Sequence, residues 1–166
     1  MLSPGAQSGS PIAGAALHTT RAQSELEPAQ DLSADGRESS RRRAPLMLVF
    51  TTRSCPYCAR AKREYLVPMN RDPAYRDKVM LREIDARAAL PLRDFAGVST
   101  THAQFARSYK VRIVPTLIVV DAGGSALAEP IVGLLGPDFY GAYLDHAIDE
   151  GLAALRARAG SPAPER

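Results

Sequence analysis

The chain carries only two cysteines, Cys55 and Cys58, separated by Pro56 and Tyr57. Sulfur atoms so placed can run thiol–disulfide exchange, hold a soft metal or close a structural bridge. A bridge across so short a loop removes little chain entropy, since that gain grows with loop length, so the pair is a poor staple. A zinc site needs four ligands in a tetrahedron. Beyond the two thiols only His18, His102 and His146 offer ring nitrogens, and they are scattered without paired spacing. No metal and no other cofactor is expected. Exchange requires a thiolate as the attacking species. Cys55 immediately precedes Pro56, and proline is a favoured first residue of a helix. Its sulfur would therefore sit where unpaired N–H groups and the positive end of the helix dipole stabilise an anion. Arg53, Arg60, Lys62 and Arg63 add positive charge nearby. Cys58, one turn later, would attack a mixed disulfide on Cys55 and release the product, so that Cys55 captures and Cys58 resolves.

The elements that must position these thiols are legible as an alternation of strands and helices. Residues 46–50 form a continuous apolar run of strand length, as expected for a strand buried on both faces. A helix is expected from Pro56 to about Leu66, broken by Pro68 and Pro73, with a short turn of helix near residues 74–77. Residues 79–84 read as the next strand, and 86–100 as an irregular connection. Thr101 and Gln104 have capping-box spacing and open a helix to about Tyr109. Residues 116–120 are a β-branched strand, 121–124 a hairpin turn, and 127–132 a weaker edge strand holding Pro130. Apolar residues at helical spacing fill 137–157. The expected fold is α/β, a mixed central sheet with helices on both faces.

Four segments follow: an extension over 1–30, a leading segment over 31–45, the domain over 46–157 and a disordered tail over 158–166. The extension reads either as disordered or as a degraded export signal, because residues 12–17 are apolar but no Lys or Arg precedes them. Residues 26–42 read as a candidate helix, with Leu26 and Leu32 apolar among charges, weakened by Gly36 and the pair Ser39 and Ser40.

From Val49 to about Leu155 the chain resembles the thioredoxin superfamily. The resemblance rests on the Cys-Pro-Tyr-Cys motif after the first core strand, Val114, Pro115 and Thr116 before a later one, the turn at 121–124, and Gly133. In character it is most similar to bacterial cell-envelope members, the sulfur-oxidation thioredoxin and disulfide-interchange group. The resemblance implies a protein disulfide oxidoreductase with Cys55 and Cys58 as catalytic residues. It implies a cis Pro115 against the active-site sulfurs and a Val114 backbone that pairs with an extended substrate strand. Pro56, Tyr57, Val114 and Pro115 are thus the candidate substrate-binding residues, although Tyr57 serves equally as cover for the helix end. Departures narrow the likeness. Thioredoxin has a Trp where Ser54 stands, and a buried Asp where Val49 stands, which removes a general base for Cys58. Glutaredoxin shares the Pro-Tyr pair, but its glutathione-binding diglycine follows the last strand, whereas Gly123 and Gly124 lie in the hairpin turn. Protein disulfides are favoured over glutathione.

The remaining features set bounds. A net charge of +3, carried by 18 Arg against 3 Lys, is too mild and too spread to indicate nucleic acid, and the run Arg41, Arg42, Arg43 reads as a solvated segment. No stretch approaches the ~20 apolar residues of a membrane helix. The expected partners are protein disulfides or dithiols and an upstream redox protein, acting on a monomer. The resemblance implies the periplasm, with the cytoplasm as alternative. Asp85 reads as a turn cap, Glu83 as solvent-facing, His102 as an exposed first-turn residue and His146 as a polar-face residue. Phe139, Tyr140 and Tyr143 read as a packing cluster. Competing functions are a redox-inert peptide-binding adaptor or chaperone, a glutathione-dependent reductase and a metallochaperone.

Overall fold

Strand β1 (Leu46–Thr51) is buried along its whole length. It is flanked by β2 (Met80–Asp85) in parallel and by β5 (Thr116–Val120) antiparallel, with β6 (Ile131–Val132) outside β5. This computed structural model describes residues 26–134 and 136–160; the expected extension up to residue 25 and the last residues of the tail lie outside them. Between β1 and β2 run helix α2, in three consecutive parts (Pro56–Ala61, Lys62–Leu66 and Val67–Arg71), and a short α3 (Pro73–Arg76). A separate two-stranded hairpin, β3 (Pro91–Arg93) with β4 (Ser99–Thr101), leads into α4 (His102–Ser108). A leading helix α1 (Leu32–Arg42) and a final α5 (Tyr140–Gly160), entered through a 3-10 turn at Pro137–Phe139, complete the layers.

The alternation of strand side chains divides the core. Met47, Val49, Leu81, Leu117 and Val119 face one way, against Ala61, Leu66 and Met69 of α2 and Tyr140, Leu144 and Ile148 of α5. Leu46, Leu48, Phe50, Ile84, Ile118 and Val120 face the other, against Leu32 of α1 and Phe105 of α4. Helices cover both faces, as expected.

Three local readings are corrected. Helix α2 does not end at Leu66: it is α over Pro56–Ala61, widens to a π turn at Lys62–Leu66 and returns to α over Val67–Arg71. The Val67 N–H reaches back to the Lys62 carbonyl, so the ladder shifts just before Pro68, which has no N–H to contribute. The connection at 86–100 holds the β3–β4 hairpin, whose turn is closed by Asp94 accepting from the Ala96 and Val98 N–H groups at 2.9 Å. Strands of three polar or proline-bearing residues carry no periodicity to read. The expected edge strand at 127–132 is ordered as a ladder only at β6, since Pro130 interrupts the pairing. The capping box stands: Thr101 Oγ1 accepts from the Gln104 N–H at 3.3 Å and Gln104 Oε1 from the Thr101 N–H at 3.2 Å.

The candidate helix is present as α1, with Gly36 inside it. The absent side chain of Gly36 is what lets the helix approach the backbone, since an added Cβ would stand 2.3 Å from the Ala122 oxygen. The residues before α1 lie along the outer edge of β2, with the Ala29 N–H donating to the Glu83 carbonyl and the Glu83 N–H to the Glu27 carbonyl, both at 2.8 Å.

Candidate functional site

Cys55 is the N-cap of α2, in extended backbone with Pro56 as the first helical residue. Its Sγ accepts a hydrogen bond from the Cys58 N–H at 3.1 Å. This is an otherwise orphaned donor of the first helical turn, the group that best stabilises negative charge on the sulfur. On its other side the Cys55 thiol donates to the Val114 carbonyl at 3.7 Å. Both thiols are free; Cys55 is partly exposed and Cys58 buried. The loop from α4 to β5 thus reaches the sulfur across 59 positions of sequence. The Val114–Pro115 peptide is cis.

The two sulfurs occupy different electrostatic settings. Burial, with the hydrogen bond to Cys55 next, pushes the Cys58 thiol up to about 12, against a backbone hydrogen bond from Thr52 and the charge of Lys62. Burial disfavours the charged form, so Cys58 holds its proton until exchange demands it.

The expected substrate-contacting residues divide by exposure. Tyr57 is 64% exposed and Pro56 is exposed, so neither caps the helix by packing beneath it. Val114 is half-buried and Pro115 buried.

Beside Cys55 opens a cleft of about 260 Å³ lined by Thr52, Ala59, Lys62, Glu83 and His102 among others. Two residues here depart from expectation. Glu83 is not solvent-facing: its Oε1 accepts from Lys62 Nζ and from Thr51 Oγ1, each at 2.7 Å, and its side chain is only 16% exposed. His102 is buried, not an exposed helix residue. Its Nδ1 accepts from the Asp85 N–H at 3.0 Å and its Nε2 lies 2.7 Å from the Ala29 carbonyl. Such an arrangement fits a neutral ring with the proton on Nε2. Asp85 does cap a turn, accepting from the Arg87 N–H at 3.1 Å. His146 lies on the exposed face of α5 opposite Glu150. Of the aromatic cluster only Tyr140 is core; Phe139 and Tyr143 are exposed, because the 3-10 turn and first turn of α5 point them outward. The placements of Glu83 and His102 depend on neighbours far away in sequence, and no local signal announces them.

Among the described residues no group of three or more His, Cys, Asp or Glu side chains converges as metal ligands. Nor is any helix among them long and apolar enough to cross a membrane.

Comparison with known proteins places this geometry in a family. A family model described as thioredoxin-like domain matches residues 32–148. Among solved structures, mitochondrial thioredoxin 3 from Saccharomyces cerevisiae in its oxidised form superposes with a TM-score of 0.51 and 18% identity, over 75% of this chain and 94% of that one. Trichomonas vaginalis thioredoxin gives 0.50 and 14% over 78% and 98%. Trxlp from Edwardsiella tarda EIB202 gives 0.50 and 23% over 72% and 97%. At these identities the likeness is one of fold. A search of curated proteins finds no match. The family match, spanning most of the chain, and the strand order around two thiols at a helix start lead to one assignment: the chain belongs to the thioredoxin-like family of the thioredoxin superfamily.

Proposed function

We propose that this protein is a thiol–disulfide oxidoreductase that exchanges protein disulfides through Cys55 and Cys58. The observation that carries the reading is the asymmetry of the pair: Cys55 Sγ is reachable and held by the Cys58 N–H at 3.1 Å, while Cys58 is buried behind it. In the reductive direction the Cys55 thiolate attacks one sulfur of the substrate disulfide. The substrate S–S bond breaks, a Cys55–substrate bond forms, and the departing sulfur leaves with the electron pair and takes up a proton. Cys58, as thiolate, then attacks Cys55 Sγ, forming the Cys55–Cys58 bond and releasing the second substrate thiol. The substrate's two sulfurs are reduced and the protein's two are oxidised; an upstream dithiol restores them.

Val114, whose carbonyl accepts from the Cys55 thiol at 3.7 Å, its neighbour Pro115, and Pro56 and Tyr57 next to Cys55 in the chain are the proposed contacts for an extended polypeptide. The half-buried Val114 carbonyl beside Cys55 supports a backbone-pairing mode over a small-molecule one. A single copy of the chain suffices for these steps. A periplasmic location goes with the reading, on the resemblance of the motif set to envelope members; cell fractionation tests it.

The direct assay is reduction of insulin by dithiothreitol. Wild type should accelerate it and Cys55→Ser should not; equal rates for the two would leave the adaptor reading in its place. Cys58→Ser, unable to resolve, should accumulate mixed disulfides with polypeptide partners in extracts, and the absence of any would count against a protein substrate.

A further inference from the structure

Tyr140, the first residue of α5, is fully buried, and its hydroxyl is the one buried side-chain polar atom among the described residues without a hydrogen-bond partner. A phenol that gives up water for no partner carries a cost that phenylalanine, filling the same space, would avoid. The surroundings indicate what the hydroxyl waits for. Cys58, Ala61 and Tyr65 lie at three- and four-residue spacing along one side of α2. The Tyr140 ring meets that side, edge-on to Tyr65 at 5.0 Å and in one packed cluster with Ala61. Val49, in the same cluster, offers no polar group. Burial, and next to it negative charge on Cys58, hold the Tyr140 phenol well above its ordinary ionisation range, so it keeps its proton and remains a donor.

We propose that the Tyr140 hydroxyl is the hydrogen-bond donor that receives the Cys58 thiolate during exchange, a positioning residue for the buried half of the dithiol pair. The inference rests on the exchange reading above. In the resting dithiol, neutral Cys58 is a weak acceptor and the hydroxyl stands unpaired. When Cys58 gives up its proton to attack Cys55 Sγ, the charge develops in an apolar core, and the thiolate moves within reach of the Tyr140 O–H. The Cys55–substrate S–S bond breaks, the Cys55–Cys58 bond forms, and the substrate sulfur leaves with the electron pair and gains the proton Cys58 lost. Tyr140 keeps its own proton throughout. In reverse, when an upstream thiolate attacks Cys55 in the disulfide form, Cys58 departs as the thiolate and meets the same donor. The partnerless hydroxyl in one state is compensated by a charged hydrogen bond in the other.

The two steps separate in a stopped-flow reaction of the reduced full chain with 5,5′-dithiobis(2-nitrobenzoate). Capture by Cys55 releases the first thionitrobenzoate in a phase that scales with reagent. Attack by Cys58 releases the second in a phase that does not. Tyr140→Phe should leave the first phase unchanged and slow the second about tenfold, the scale of one hydrogen bond to a charged group. The pH midpoint of the second phase should move up, while the dithiol protein melts at or above the wild-type temperature. An unchanged second phase, or equal slowing of both, overturns the proposal. Ring-fluorinated tyrosine at position 140, of nearly the same shape but a stronger donor, should speed the second phase; no acceleration overturns the proposal even where Tyr140→Phe does not fold. A wild-type chain with no second phase instead overturns the exchange reading itself.

Discussion

At the scale of residues, the candidate site is a division of labour between two identical thiols imposed by a single helical turn. Cys55 stands outside the first turn of α2 and takes its N–H donor; Cys58 stands inside and takes the burial. Burial raises the folded Cys58 thiol from 9.0 to about 12, so the fold favours the protonated form. The unfolded chain then loses this proton first. The stability that this contributes is complete below about pH 9 and is lost as pH rises towards 12. In the disulfide form Cys58 has no proton to lose. Tyr75 and Tyr109 are likewise raised to about 12, but they act in both redox forms and cancel in the comparison. The urea midpoints of the dithiol and disulfide proteins should therefore diverge as pH climbs above about 9, the dithiol falling faster. A constant gap would show that Cys58 is not held neutral by the fold.

At the scale of elements, two rules of local propensity give way to packing. Pro68 stays within a helix because the π turn ahead of it has already shifted the hydrogen-bond ladder. Gly36 stays within α1 because the Ala122 carbonyl leaves no room for a Cβ. These effects oppose each other in one substitution. Propensity alone makes Gly36→Ala stabilising by about 1 kcal/mol. The close approach to a rigid backbone oxygen makes it overpacked, at about 1–3 kcal/mol. We expect a net loss of up to about 2 kcal/mol in denaturant unfolding. A gain would mean that α1 and the 121–124 turn can move apart freely.

At the scale of the whole molecule, the residues ahead of β1 belong to the packed unit. Leu26, Ala29 and Leu32 are buried, and residues 27–29 pair with the edge of β2 through Glu83. His102 joins the Ala29 carbonyl and the Asp85 N–H through one ring, tying that segment to α4 and to the end of β2. Removing residues 1–31 should thus uncover apolar core and a strand edge together. The loss of Leu26 alone is worth about 1.5–3 kcal/mol, and the bared edge of β2 invites association between chains. Chemical denaturation and light scattering of the truncated protein check both consequences; an unchanged midpoint would show the segment to be dispensable cover.

Features that depend on neighbours along the chain can be read from the residues alone. The apolar run of β1, the helix start at Pro56 with a cysteine just before it, the capping box of Thr101 and Gln104, and the β-branched β5 are all local signals, and each marks its element. With them came the family resemblance and the pairing of Cys55 with Cys58 on one helical turn. Which polar groups lose water, and which find partners, is set by the packing of one element on another. Glu83 is satisfied by Thr51 and Lys62, His102 by Asp85 and Ala29, and Tyr140 by nothing among the described residues in the dithiol state. The reason is physical: periodicity records which face a side chain takes, whereas desolvation and hydrogen bonding depend on what another element, dozens of residues away, brings against that face.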